Sequence, residues 1–139
     1  MFNCIVFATD GSEHSQRALA YARDLTKLHT AELYLVHVYP RVSDLLGTNE
    51  YDTIVQHRIA AGDAIIEEAG TSLDQAGISY HTELLEGPMA EAIINVAETR
   101  GADLIIIGAR GKSSLEGLLL GSVSQKVIHH AECPVLVIH

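Results

Sequence analysis

The spacing of apolar and polar positions changes repeatedly along the chain, and each change marks an element. Cys4-Ile5-Val6-Phe7-Ala8 is an unbroken apolar run closed by Asp10-Gly11-Ser12, the pattern of a strand buried on both faces that turns into a helix. From Glu13 to about Leu28 the residues Ala18, Leu19, Ala22, Leu25 and Leu28 recur at helical spacing. A second apolar run, Leu33 to Val38, predicts a second strand. Pro40 to Asn49 is rich in turn formers and reads as a loop. Beyond it Val55, Ile59, Gly62, Ile66, Ala69, Leu73 and Ala76 step 4-3-4-3-4-3, which predicts a long amphipathic helix ending near Gly77.

Ile78, Tyr80, Thr82 and Leu84 alternate with polar residues, as in a strand with one wet face at a sheet edge. Gly87-Pro88 opens a third helix, carried by Met89, Ile93, Val96 and Ala97 to Arg100-Gly101. Leu104-Ile105-Ile106-Ile107 is the most apolar run and is expected to be the central strand. A glycine-rich loop from Gly108 to Gly121, a short helix from Ser122 to Ala131 and a last strand from Pro134 to Ile138 follow. Strict alternation of strands and helices implies a doubly wound α/β fold: a parallel sheet, right-handed crossovers and helices on both faces. Such sheets bind ligands outside the carboxyl ends of the strands, where the winding reverses. The loops after strands one and four are therefore the ones expected to carry chemistry.

Composition narrows the picture. At about 100–200 residues per domain, a length of 139 residues predicts a single domain spanning 1–139. With 47% hydrophobic and 19% charged residues, intrinsic disorder is excluded. Nine Lys and Arg against eighteen Asp and Glu give a net charge of −9, which opposes a nucleic-acid backbone. Any phosphate must be held by local groups. No apolar run approaches the ~20 residues of a membrane span, and Met1-Phe2-Asn3-Cys4 lacks the start of an export signal, so a soluble cytoplasmic protein is expected. Cys4 and Cys133 have no metal spacing and are read as reduced, buried thiols. The eight histidines lack paired acids or cysteines, and no histidine metal site is expected.

Gly108-Ala109-Arg110-Gly111, nine residues, then Gly121-Ser122 is a spaced glycine string between a buried strand and a helix. Gly108 and Gly111 are expected to let the backbone turn through conformations barred to other residues and come close to a ligand, and Gly121 removes a side chain where the helix begins. Ser122, Val123 and Ser124 then present unpaired N–H groups at a positive helix end, and the two serines add hydroxyl donors. Arg110 and Lys112 either contact phosphate or remain solvated. A P-loop is excluded because Ile106 stands where its first glycine belongs, and no Gly-x-Gly-x-x-Gly follows the first strand. Asp10 has two readings. With Glu13 it forms an Asp-x-x-Glu capping box; across a doubly wound crevice from a phosphate cradle it sits where a ribose hydroxyl belongs.

These residues resemble the universal stress protein family, specifically its ATP-binding branch. The resemblance covers nearly the whole chain: Ala8-Thr9-Asp10-Gly11-Ser12, Val36-His37-Val38, Gly87-Pro88, the Gly108 to Ser122 string and Cys133-Pro134-Val135-Leu136-Val137. It implies a five-stranded sheet of order 3-2-1-4-5, ATP with Mg²⁺ or Mn²⁺ on its phosphates, and a homodimer joined through the last strands. Asp10 then matches the ribose carboxylate, Ala8 and Val38 the adenine surroundings, and Gly108, Gly111, Gly121, Ser122 and Val123 the phosphate cradle. Arg110 departs from the His or Asn that many relatives carry there.

The function expected is a nucleotide-dependent regulator acting through its dimer or an unidentified protein partner. The alternatives are a slow ATP hydrolase, a phosphoryl or adenylyl transferase, or a binder of AMP or a cyclic nucleotide. Catalysis has little support in the residues, since Glu116 is the one further carboxylate near the glycine string.

Overall fold

The computed structural model describes residues 1–43, 47–111, 117 and 119–139. The elements follow in the order β1 (Cys4–Ala8), α1 (Glu13–His29), β2 (Glu32–Tyr39), α2 (Thr48–Gln75), β3 (His81–Glu86), α3 (Met89–Arg100), β4 (Leu104–Gly108), α4 (Ser122–His130) and β5 (Val135–Ile138). All strand pairs are parallel and the sheet order is β3-β2-β1-β4-β5, as the family resemblance implies. The central strand is β1 rather than β4. Apolarity records burial on both faces, and β1 and β4 share that property; it does not record which strand lies in the middle. The long helix also starts earlier than expected, at Thr48, inside the stretch read as loop. Both thiols are free, but only Cys4 is buried; Cys133, which precedes β5, is half-buried, contrary to the expectation.

Side-chain alternation divides the core in two. Ile5 and Phe7 of β1, Leu33 and Leu35 of β2, and Leu104 and Ile106 of β4 pack against Ala18 and Ala22 of α1 and Ala69 and Leu73 of α2. On the opposite face Val6, Val36, Val38, Ile105 and Ile107 pack against Ala90, Ile93 and Val96 of α3 and Val127 of α4. Phe7, Ile5, Leu33, Leu35, Leu73 and Ile106 are fully buried, each worth about 1.5–3 kcal/mol of apolar transfer. The chain leaves β1 toward β2 on one side and returns through α3 to β4 on the other. The winding therefore reverses between β1 and β4, whose carboxyl ends face the same opening.

At that reversal β4 runs against α1. A Cβ built on Gly108 lies 2.9 Å from the Ser15 amide nitrogen and 3.0 Å from the His14 carbonyl carbon. Gly108 is thus required by helix packing, not by an unusual dihedral, for it is absent from the positive-φ glycines. Gly108→Ala is expected to destabilise the fold by about 1–3 kcal/mol through overpacking, read as a lowered urea midpoint with unchanged slope. An unchanged midpoint contradicts the close contact.

Candidate functional site

The turn after β1 is built by short hydrogen bonds. Gly11 takes a φ of 75°, the left-handed region that a side chain disfavours. Asp10 Oδ1 accepts from the Ser12 amide at 2.9 Å and from the Ser15 hydroxyl at 2.8 Å. Ser12, not Asp10, is the N-cap of α1, its hydroxyl accepting from the Ser15 amide. The capping-box reading of Asp10 and Glu13 is thereby corrected: the carboxylate braces the turn from two residues before the cap. From β2, the buried His37 Nδ1 donates to the Thr9 carbonyl at 2.7 Å, while the Thr9 amide donates to Val36 O. His37 fixes the residue that carries Asp10, a role only the β1–β2 pairing reveals.

The second loop closes on the first. A Cβ on Gly111 would collide with Asp10 Oδ2, so the missing side chain makes room for a carboxylate. Gly111, like Gly108, does not have a positive φ, and the expected backbone contortion is replaced by close approach in both cases. The Ser12 hydroxyl lies 3.4 Å from the Arg110 carbonyl, a further tie between the loops. Gly121 donates its amide to Ala109 O at 2.7 Å.

Gly121 caps α4 without a side-chain bond, leaving the first-turn amides of Ser122, Val123 and Ser124 without the acceptor that Ser12 gives α1. Ser124 differs from the expected donor: it is buried and its hydroxyl donates to Gly108 O at 2.8 Å, clasping α4 to β4.

Together these elements line one cleft at the β1–β4 reversal. Ala8, Asp10, Val38, Gly108, Arg110, Gly111, Gly121, Ser122, Val123 and Ser124 all line it. Lys112 and Glu116 lie outside the described residues. Met89, Ile93 and Ile107 also line the cleft and were missed, because they read as ordinary core positions of α3 and β4. Val38, Ile93 and Ile107 form an apolar part of the wall, and Asp10, Arg110 and the α4 amides a polar one. His14 stands at 3.1 Å from the Arg110 guanidinium. Burial, then Arg110, Arg17 and His139, hold its imidazole below the ordinary histidine range, while Glu13 pulls the other way. Among the described residues no three His, Cys, Asp or Glu groups gather as a metal site, and no helix is long and apolar enough to cross a membrane.

The sequence model of the Universal stress protein family matches residues 1–139. The chain belongs to that family. A universal stress protein of Thermus aquaticus is 39% identical over 139 residues, covering 99% of each chain. Among solved structures, MJ0577 of Methanocaldococcus jannaschii superposes with a TM-score of 0.86 at 29% identity, over 99% of this chain and 96% of that one. A universal stress protein crystallised in complex with cAMP gives 0.77 at 28% identity, over 99% and 97%.

The cap assignment is directly testable. Ser12→Ala is expected to cost about 0.5–2 kcal/mol of stability, the usual loss for a removed N-cap, measured by denaturant unfolding. A neutral substitution contradicts Ser12 as the cap.

Proposed function

We propose that the cleft binds ATP, with Mg²⁺ or Mn²⁺ held on its phosphates, and that the protein is a cytoplasmic, nucleotide-dependent regulator. The observation that carries this reading is the pairing of an apolar wall with a carboxylate and an uncapped helix N-terminus in one cleft. Ala8 and Val38 suit an adenine ring, and Asp10 suits ribose hydroxyls. Gly108, Gly111, Gly121 and the amides of Ser122 and Val123 suit phosphates. This donor set fits a magnesium nucleotide: backbone amides and the Arg110 cation meet the anion, and the metal, when bound, neutralises phosphate charge that a −9 chain would otherwise repel.

Regulation is favoured over turnover by the acids present. Asp10 is the only carboxylate among the described residues lining the cleft, and its Oδ1 is engaged by the Ser12 amide and the Ser15 hydroxyl. AMP or a cyclic nucleotide is the second reading, supported by the cAMP complex of a relative. Calorimetric titration with Mg·ATP, repeated with AMP and cAMP, decides between them: saturable ATP binding tighter than either monophosphate is expected. No heat from any of the three at millimolar concentration contradicts the assignment.

Asp10→Ala is expected to weaken ATP about 10–100-fold, the loss of a charge-assisted bond of roughly 1.5–3 kcal/mol. The turn bonds to Ser12 and Ser15 contribute a smaller loss of stability, so affinity falls more than melting. A variant that melts lower yet binds ATP unchanged makes Asp10 a turn residue alone.

The regulator is also proposed to be a homodimer joined through 134–138, with an unidentified protein partner reading its state. Pro134 O and Ile138 O accept from Ile105 N and Ala109 N. Strand alternation therefore turns the N–H and C=O groups of Val135 and Val137 outward at the free edge. Val135, Leu136 and Val137 are only half-buried, and pairing with a second copy about a two-fold axis covers them. Light scattering is expected to give about twice the 15.0 kDa chain mass. Val137→Pro removes an outward donor, spares the β4 ladder and should yield monomer; a dimer insensitive to it places the interface on another surface.

A further inference from the structure

Arg110 stands between two cavities. It lines the cleft described above and also a neighbouring one lined by His14, Arg17, Gly117, Leu119 and His139. None of the apolar residues suited to a base reaches the second cavity, so Arg110 marks the end of the cleft away from the apolar wall. Its terminal nitrogen lies 3.1 Å from His14 Nε2. A guanidinium can only donate, so Nε2 accepts and the neutral ring carries its proton on Nδ1. Among the described residues that buried Nδ1 finds no hydrogen-bond partner. An orphaned buried donor is costly and calls for a reason. The bond to Arg110 supplies one, because the other tautomer would set two donors against each other.

We propose that His14 is a positioning residue that holds Arg110 at the polar end of the cleft, so that the protein reads phosphate number and favours nucleoside triphosphates over monophosphates. The proposal rests on the cleft being a nucleotide site. The guanidinium keeps further N–H donors beyond the one used on His14, in a fork that matches phosphate oxygens. On this proposal the distal phosphates of a triphosphate meet the guanidinium, and a monophosphate lacks them. Among the described residues the charged groups facing His14 are Arg110, Arg17, His139 and Glu13. They, with burial, keep the ring in the accepting neutral form. As pH falls through its lowered range the ring gains a proton on Nε2 and releases Arg110, and the triphosphate preference declines.

The test is a double-substitution cycle read as the ratio of Mg·ATP to AMP affinity at neutral pH, with melting followed alongside. His14→Leu and Arg110→Gln should each lower the ratio about tenfold. His14→Leu should add nothing in the Arg110→Gln background. His14→Gln, which keeps an acceptor but does not titrate, should retain the ratio and abolish its decline at acidic pH, a pattern that lost packing does not produce. If His14→Leu fails to fold, Arg110→Gln and the pH response of His14→Gln carry the same decision. Wild-type protein that binds neither nucleotide overturns the nucleotide reading itself. Wild-type binding with a ratio indifferent to His14, or a His14 effect that persists without Arg110, overturns the positioning role alone.

Discussion

The end of β4 lies against the first turn of α1 at a distance that admits no side chain, and the rest of the site depends on that contact. A Cβ at Gly108 would sit 2.9 Å from Ser15 N. Because the two backbones meet there, the loops leaving β1 and β4 are brought into register: Asp10 against Gly111, the Ser12 hydroxyl near Arg110 O, and Arg110 on His14. Ser124 holds the other side of the same carbonyl end by donating to Gly108 O. Glycine at this position is a packing requirement first, and the cleft is its geometric consequence.

Two helix N-termini face this region and are treated differently. α1 is closed by its own serine, whose hydroxyl meets the Ser15 amide. α4 begins at a glycine with no side chain to offer, and its first amides stay open toward the cleft. On a chain of net charge −9, an anion is attracted only where local partial charges outweigh the long-range field. The open α4 terminus and the Arg110 cation are such groups. Asp10 beside them is held by the Ser12 amide and the Ser15 hydroxyl.

The alternation of strands and helices was legible because buried strands and amphipathic helices leave different periods in the sequence, and the loops at the reversal follow from that alternation. The position of β4 in the sheet was not legible, since an apolar run such as Leu104 to Ile107 reports two buried faces and nothing about neighbours. The glycines of the string were recognised for their spacing, but their reason was misassigned: Gly108 and Gly111 avoid collisions with His14, Ser15 and Asp10 and have no need of positive φ. Such collisions depend on contacts made across about a hundred residues of chain, as does the His14–Arg110 bond. Local pattern carries no record of them. Ser124 shows the same limit, for its hydroxyl could not be assigned before Gly108 O was found beside it.

The central claim is that one cleft at the β1–β4 reversal holds an adenine nucleotide. The most direct measurement is to incubate purified protein with Mg·ATP, remove free ligand by gel filtration, release what is retained by heat and resolve it by ion-exchange chromatography. The account predicts ATP in an amount comparable to the protein chains, and a marked loss of it from the Asp10→Ala variant. Folded protein that retains no nucleotide, together with calorimetry that registers none, would contradict it.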